Sequence, residues 1–382
     1  MMNKKQRIVY CIPSVFNSGG MERILSIKTN YFADVLNHDV TIITTDQKNK
    51  SPFFHFSNKI KFVDLGINYC EEPPDPILKF FVRIRNKRKH RKKLQKAVNN
   101  LKPDILISMF QHDATIVSKL QVKSIKIIES HFAKFYRKVN SKGLVSKIIS
   151  VFRDISDNAT VKKYDAFVTL TQDDKNDWPS YANIKVIPNP ITAEVIEKRE
   201  KTGNILAVGR VTFQKGFDDL LKAWHKIEDS YPDHRLTIIG AQDDTIYFEY
   251  IKKLIQELAL KRVELKKPVA NIGEEYAKSD FLVMSSKFEG LPLVLIESQA
   301  AGLPTISYNC KCGPKEIITH GFNGMLVDQG DINGLAESMK ILLGNPDLRD
   351  ELSRNSLTKA KEYELDRIME KWTRLFIELK ND

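Results

Sequence analysis

The chain is predicted to be an α/β protein of two doubly wound, Rossmann-like domains in tandem, facing a central cleft. Two observations predict this. Short apolar, β-rich runs alternate with longer amphipathic runs almost throughout the 382 residues, the pattern of strand–helix–strand units with parallel sheets. The alternation breaks once, at Pro188-Asn189-Pro190 and the charged stretch Glu194 to Lys201, and restarts after Gly203, as it does where one domain hands over to another. The length also favours two cores over one.

In the first half the expected strands are Arg7 to Ile12, Val40 to Thr44, Ile60 to Val63, Ile105 to Ser108, Ile125 to Glu129, Phe167 to Leu170 and Lys185 to Ile187. A helix is expected over Met21 to Leu36, where Ile24, Leu25, Ile27, Phe32, Val35 and Leu36 approximate one face. In the second half the expected strands are Ile205 to Val208, Leu236 to Ile239, Val263 to Leu265, Phe281 to Met284, Thr305 to Ser307 and Met325 to Val327. Helices are expected over Gly216 to Ile227, Ile246 to Leu258, Leu293 to Ala301, Asp331 to Leu343, Asp347 to Tyr363 and Ile368 to Leu379. The expected domains are 1–188 and 189–365, with a last helix in 366–382 packing back on the first. In such sheets a ligand binds in the crevice at the carboxyl ends of the strands.

Apolar residues make up 42% of the chain and charged residues 28%, ordinary values for a globular protein. The longest apolar runs, such as Leu291 to Ile296, are far shorter than the roughly 20 residues of a membrane span. Met1 to Val15 is basic and then apolar, but it contains Gln6, Arg7 and Pro13. It therefore reads as a first strand rather than a signal peptide, and the cytoplasm is the expected compartment. The four cysteines, Cys11, Cys70, Cys310 and Cys312, read as buried or free thiols, since Cys310-Lys311-Cys312 is spaced too tightly for a usual zinc or thioredoxin-like site. No metal cluster is evident.

The residues that carry chemistry centre on KFEGLPLVLIESQAAGLP, Lys287 to Pro304, where Glu289 and Glu297 stand eight positions apart. Eight helical residues advance about 12 Å, whereas paired hydrolase carboxyls work at about 5 to 9.5 Å. The two acids therefore suit the opposite ends of a long ligand better than the two sides of one bond. Gly290 allows close backbone approach, and Pro292 suits a first helical turn whose free amides would face an anion. A sugar nucleotide has the matching order of sugar hydroxyls, diphosphate and ribose. The alternative is a pair of glutamates facing solvent.

Gly209-Arg210-Val211-Thr212-Phe213-Gln214-Lys215-Gly216 follows the first strand of the second half. A strand end with a planar guanidinium and a mobile ammonium suits a diphosphate; a solvated turn is the alternative. Gly19-Gly20-Met21-Glu22 stands in the same relation to the first strand, as either a ligand-approach loop or a plain tight turn. Neither a full GxGxxG fingerprint nor a P-loop occurs. His131, past a first-half strand, reads as a cleft residue or a packed histidine. Gly313-Pro314-Lys315-Glu316 reads as a constrained strand-end turn or a loop.

Together, GRVTFQKG, FEGLPLVLIE and GLPTISYNCKCGPKEIITHGFNGMLV resemble family 4 of the retaining glycosyltransferases, which have the GT-B fold of two Rossmann-like domains. The likeness is nearly continuous from Ile205 to Val327; in the first half it is confined to Gly19-Gly20 and the surroundings of His131. The resemblance implies that 1–188 is the acceptor side and 189–365 the side that binds a nucleotide-sugar donor. Arg210 and Lys215 match the family's diphosphate-binding cations, Glu297 its ribose ligand, and Glu289 its first motif acid beside the donor sugar. His131 matches the histidine at the reaction centre, and Gly19 and Gly20 match the loop that closes on donor and acceptor. The amides of Gly290, Leu291, Pro292 and Leu293 fall opposite the pyrophosphate and sugar, although proline itself offers no N–H. Lys267 to Val269 falls where the family contacts the base, but the usual glycine is absent. The implied donor is a UDP-hexose or UDP-N-acetylhexosamine, used without a required cofactor.

The net charge is +12, with a pI of about 9.2. KFFVRIRNKRKHRKKLQK, Lys79 to Lys96, contains ten Lys and Arg and no acid. Phe80 and Phe81, followed by Arg83, Arg85, Lys87, Arg88, Lys89, Arg91, Lys92 and Lys93, suit an anionic bilayer surface. This agrees with family members that act on lipid-linked glycan acceptors at the inner face of the plasma membrane. The alternatives are a solvated helix, or a nucleic-acid-binding protein. The latter would leave Arg210, Lys215 and both glutamates without a joint purpose, so no nucleic acid is expected. The other enzymatic reading is a GT-B sugar-nucleotide epimerase, which needs no acceptor.

Overall fold

The computed structural model describes residues 5–69, 71, 74–110, 113–134, 144–180, 182–192 and 202–381; Cys70 and the stretch 194–201 lie outside the described residues. The chain divides into two units: Met1–Leu170 with Asp174–Pro190 and Ile368–Asp382, and Thr171–Asp173 with Ile191–Arg367.

The first unit is built on seven parallel strands. They are β1 (Arg7–Ile12), β2 (Asp39–Thr44), β3 (Lys61–Asp64), β4 (Ile105–Ser108), β5 (Ile125–Glu129), β6 (Ala166–Thr169) and β7 (Ile184–Val186). Their order across the sheet is β3-β2-β1-β4-β5-β6-β7. Strand β1 sets Arg7 opposite Asp39 on one side and Ile8 opposite Ile105 on the other. Because helices cover both faces of such a sheet, its inner strands read as unbroken apolar runs. Ile8, Tyr10, Ile105, Leu106 and Ile107 are fully buried.

The second unit has six parallel strands: β8 (Asn204–Val208), β9 (Arg235–Ile239), β10 (Val263–Lys266), β11 (Phe281–Met284), β12 (Thr305–Tyr308) and β13 (Gly324–Val327). They lie in the order β10-β9-β8-β11-β12-β13. In each unit the order reverses beside the first strand, between β1 and β4 and between β8 and β11. A doubly wound sheet opens its ligand crevice at that reversal. The strands expected from the sequence are all present, shifted by a residue at some ends, where pairing frays.

Six helices bear on the site and its surroundings. The first, α1 (Gly20–Asn30), leaves the loop after β1 and runs into a π-helical turn over Tyr31–Val35. The second, α2 (Pro76–Leu101), contains the whole basic run. Asp75 caps its start by accepting from the Leu78 amide at 2.7 Å, and Pro76 fits the first turn. It ends at Lys102, which takes left-handed φ ahead of Pro103. Asn86, His90, Leu94 and Val98, spaced by four, form its buried seam. Two of the cations are tied down: Lys89 Nζ donates to the Gly66 carbonyl at 3.0 Å and Lys93 Nζ to that of Leu65 at 2.5 Å.

Helix α3 (Leu144–Val161) is absent from the sequence-based expectations, and it turns Ile149, Val151, Phe152 and Ile155 outward. In the second unit, α4 (Phe217–His225) follows the GRVTFQKG loop and α5 (Leu293–Ala300) follows the GLP turn. The last, α6 (Leu365–Asn381), enters the first unit at Ile368 and buries Ile368, Met369, Trp372, Leu375 and Phe376. There Phe376 stacks on Phe32 with ring centroids 5.5 Å apart.

Candidate functional site

In the second unit, two motif loops leave the ends of neighbouring strands β8 and β11, and backbone contacts stitch them together. The Lys287 amide donates to the Gln214 carbonyl at 2.8 Å, Gln214 Nε2 to the Phe288 carbonyl at 3.0 Å, and Ser285 Oγ to the Lys215 carbonyl at 3.0 Å. Gly216 has φ +61°, and a Cβ there would lie 2.2 Å from the Ser285 carbonyl oxygen. Only glycine permits both the left-handed turn and this approach. Across the seam Lys215 Nζ pairs with Glu289 Oε1 at 2.7 Å, with the two side chains 16% and 8% exposed. The structure thus joins two residues that the sequence set against different parts of a ligand.

Beneath the seam, Lys287 Nζ reaches Asp218 Oδ2 at 3.3 Å and lies 4.0 Å from the centre of the Phe213 ring. Tyr247 Oη donates to Asp218 Oδ1 at 2.8 Å. Burial and this bond push the Tyr247 phenol well up, so it stays a neutral donor. Arg210 is exposed, and its guanidinium has no partner among the described residues.

Glu297 lies on α5 and is buried, with Tyr276 Oη donating to its Oε2 at 3.3 Å. It is not the solvent-facing glutamate of the alternative reading. Pro292 caps α5 rather than standing in its first turn. Gly313 has φ +103°, and a Cβ on it would lie 2.4 Å from Pro292 Cδ and 3.2 Å from the Gly290 carbonyl oxygen. The turn after β12 therefore rests on the GLP loop. Cys310 is buried, and its thiol is pushed up by burial and then by the Glu289 carboxylate. Lys267 and Val269 are exposed beyond β10, the edge strand.

In the first unit, Gly19 caps α1 without a side-chain bond. The Glu22 carboxylate folds back over it, with Oε2 2.3 Å from where a Gly19 Cβ would stand, and Asn17 Nδ2 donates to Glu22 Oε1 at 3.4 Å. His131 follows Glu129, the last residue of β5, and its side chain is 5% exposed. Its Nε2 lies 3.2 Å from Glu129 Oε1, an ion-pair distance without hydrogen-bond alignment. The same Oε1 takes the ammonium of Lys28, which is as deeply buried as Glu129. Burial alone would raise the Glu129 carboxyl, but the charges of Lys28 and His131 bring it down to about 2. Burial lowers Lys28, against the pull of Glu129.

Sequence reasoning missed Lys28 and Glu129 as site residues. A signal was available: Lys28 falls one helical turn after Ile24, on the apolar face of α1, where an unpaired lysine is almost never buried.

Residues 189–359 match the family model described as "Glycosyl transferases group 1". An "Uncharacterized glycosyltransferase" of Haemophilus influenzae is 29% identical over 96% of this chain and 99% of its own. The "Amylovoran biosynthesis glycosyltransferase AmsD" of Erwinia amylovora is 28% identical over 96% of this chain and 98% of its own. A protein of Campylobacter jejuni is 28% identical over 97% of this chain and 98% of its own. It is named "GalNAc-alpha-(1->4)-GalNAc-alpha-(1->3)-diNAcBac-PP-undecaprenol alpha-1,4-N-acetyl-D-galactosaminyltransferase". Among solved structures, Anabaena HepE in complex with UDP-glucose superposes with a TM-score of 0.73 at 14% identity, over 98% of this chain and 100% of the other. The fold is GT-B, and the chain is similar to glycosyltransferases over nearly its full length.

Two outcomes follow from the geometry. Gly216→Ala forces a side chain into the left-handed region, at about 1–2 kcal/mol, and pushes the two loops apart. Thermal unfolding is expected to register the loss as a melting temperature below that of the wild-type protein. The second concerns acid. The Glu129 carboxyl is depressed from 4.5 to about 2, so its stabilisation is complete above pH 4.5 and is lost as pH falls through about 2. Urea midpoints measured against pH should fall across that window in the wild-type protein, with a shallower fall in Glu129→Gln.

Proposed function

We propose that the protein is a retaining glycosyltransferase. It moves a hexose or N-acetylhexosamine from a UDP-sugar to a glycan acceptor, lipid-linked, in cell-surface polysaccharide synthesis at the inner face of the plasma membrane. The observation that carries this reading is the stitched pair of loops in the second unit. There an unpartnered Arg210, the Lys215–Glu289 pair and the start of α5 lie at the strand-order reversal. The group 1 glycosyltransferase match over this unit supports it, as do the UDP-glucose in the HepE structure and the amylovoran and PP-undecaprenol in the names of two relatives.

On this reading Arg210 and Lys215 hold the diphosphate by charge-assisted bonds, aided by the amides at Gly290, Leu291 and Leu293. Glu289 grips the sugar, Glu297 the ribose, and the segment from Lys267 to Val269 borders the base. His131, Gly19 and Gly20 serve the acceptor side. The bond from the sugar carbon to the phosphate oxygen breaks as a bond to the acceptor oxygen forms on the same face. The acceptor proton passes to the leaving phosphate. The cations stabilise the charge that builds there, so no metal is required.

The first unit supports a membrane partner. The early turns of α2 expose Ile77, Leu78, Phe80 and Phe81 ahead of the cations, and α3 exposes Phe152 and its neighbours. Among the described residues no helix is long and apolar enough to cross a bilayer. Lys89 and Lys93, bound to carbonyls, serve the fold first. Arg85, Lys87, Arg88, Arg91 and Lys92 are left for phosphate headgroups.

Glu297→Ala is expected to weaken donor binding, and Arg210→Ala or Lys215→Ala to depress turnover, each by about 1.5–3 kcal/mol. Isothermal titration and UDP release over a panel of nucleotide sugars measure both, and unchanged values in all three variants would overturn the reading. Release that requires an acceptor separates transfer from epimerisation. Replacing Lys87, Arg88, Arg91 and Lys92 with Gln should cost about 1 kcal/mol each in sedimentation with anionic liposomes and leave donor binding intact. Equal loss of both would mark the segment as structural.

A further inference from the structure

The buried charges of the first unit have a use beyond holding the fold. Lys28 and Glu129 are each 1% exposed, set among rings. Lys28 Nζ lies 4.1 Å from the centre of the Trp372 ring and 5.5 Å from that of Tyr10. Stripping water from both ions is expensive, and a buried pair of this kind is commonly replaced by apolar residues without loss of stability. Packing therefore does not explain its presence.

Its connections do. Lys28 is on α1, the helix that begins at the Gly19-Gly20 loop, and Glu129 ends β5 two residues before His131. Trp372, from α6, lies against the ammonium and keeps it on the carboxylate. The oxygen that Lys28 holds is the same one that faces His131 Nε2 at 3.2 Å. Among the described residues, Glu129 Oε2 and Tyr10 Oη have no hydrogen-bond partner, and His131 Nε2 has none beyond the Glu129 oxygen 3.2 Å away. Polar atoms left so in a packed interior mark a place held for function or for a bound molecule.

We propose that Lys28 and Glu129 are positioning residues for the transfer reaction: Lys28 pins the Glu129 carboxylate, which holds the Nε2 edge of His131 and leaves Nδ1 for a sugar hydroxyl. This rests on the function proposed above. A carboxylate facing Nε2 selects the tautomer protonated there. Among the described residues, Glu129 from β5 faces the ring, and Glu129 is in turn faced by Lys28 from α1 and Tyr10 from β1, with Trp372 against the Lys28 ammonium.

The test is the double variant Lys28→Met/Glu129→Leu, which removes both charges and keeps apolar bulk. Thermal stability is expected to hold, and so is the affinity for UDP-sugar, which the second unit binds. The expected kcat is lower by about 10- to 100-fold, the size of effect that a displaced catalytic group produces. Wild-type kcat in a folded double variant would overturn the proposal. If that variant does not fold, Lys28→Met/Glu129→Gln, which also removes both charges but keeps the shape of the carboxylate, serves in its place, with the same split between kcat and donor affinity expected. Lys28→Arg, which keeps the charge, should retain more kcat than Lys28→Met.

Nitrogen NMR of the His131 ring gives a readout independent of turnover. The neutral ring should carry its proton on Nε2 in the wild-type protein, and a proton on Nδ1 would sink the idea. A wild-type protein that releases no UDP from any sugar nucleotide would instead count against the proposed function, leaving the ring tautomer to judge this inference by itself.

Discussion

In a parallel sheet every strand points the same way, so each connection from a carboxyl end emerges on one edge and must cross back over a face to begin the next strand. This constraint gathers the candidate site. Gly19 follows β1, His131 follows β5, Arg210 and Lys215 follow β8, Glu289 follows β11 and Gly313 follows β12. None needs to be near another in sequence, because the sheet's direction groups them within each unit. The opposite edge carries ties of another kind, such as Arg7 to Asp104 at 3.1 Å, half exposed and at strand starts. Pairs so exposed contribute little to stability.

The two units treat charge differently. In the second, Lys215 and Glu289 are paired but reachable, and Arg210 beside them is exposed. That arrangement can exchange partners. In the first, Lys28 and Glu129 are sealed under Trp372 and Tyr10, in surroundings where screening by salt is weak and a lost partner leaves a bare buried ion. That arrangement holds one geometry. The net charge of +12 reports neither site, since the excess is concentrated on the outward faces of α2.

The strands were legible because period and composition agree: a strand buried on both faces leaves an apolar run with no polar break, as in Ile105 to Ser108 and Phe281 to Met284, and both match the structure in extent. The two motif loops of the second unit stood out because glycine, proline, cation and acid stand close together in sequence, and the structure brings them into contact. The helix over Leu144–Val161 was not among the expectations although Ile149, Phe152 and Ile155 recur at helical spacing; the structure turns these three outward and buries Val161 at the helix end. Lys89 and Lys93 looked like the other cations of the basic run; only the fold brings the Leu65 and Gly66 carbonyls to them. Lys28 stands on the apolar face of its helix, but its partners come from a distant strand and from the last helix of the chain, which no local pattern names.

The Lys215–Glu289 pair bears on how the proposed reaction would begin. Before a donor arrives, each ion satisfies the other at 2.7 Å, which keeps a partly buried acid and base charged without a ligand. A diphosphate brings more negative charge than one carboxylate and more oxygens to share among Lys215, Arg210 and the amides at the start of α5. It would draw the ammonium away, and Glu289 would then have an empty acceptor site where, on the proposed reading, the donor's sugar would lie. Hydroxyls are the groups that fill such a site. On this account the same ion pair would order the empty loop and couple capture of the diphosphate to the grip on the sugar, so that neither end of the donor is held firmly without the other.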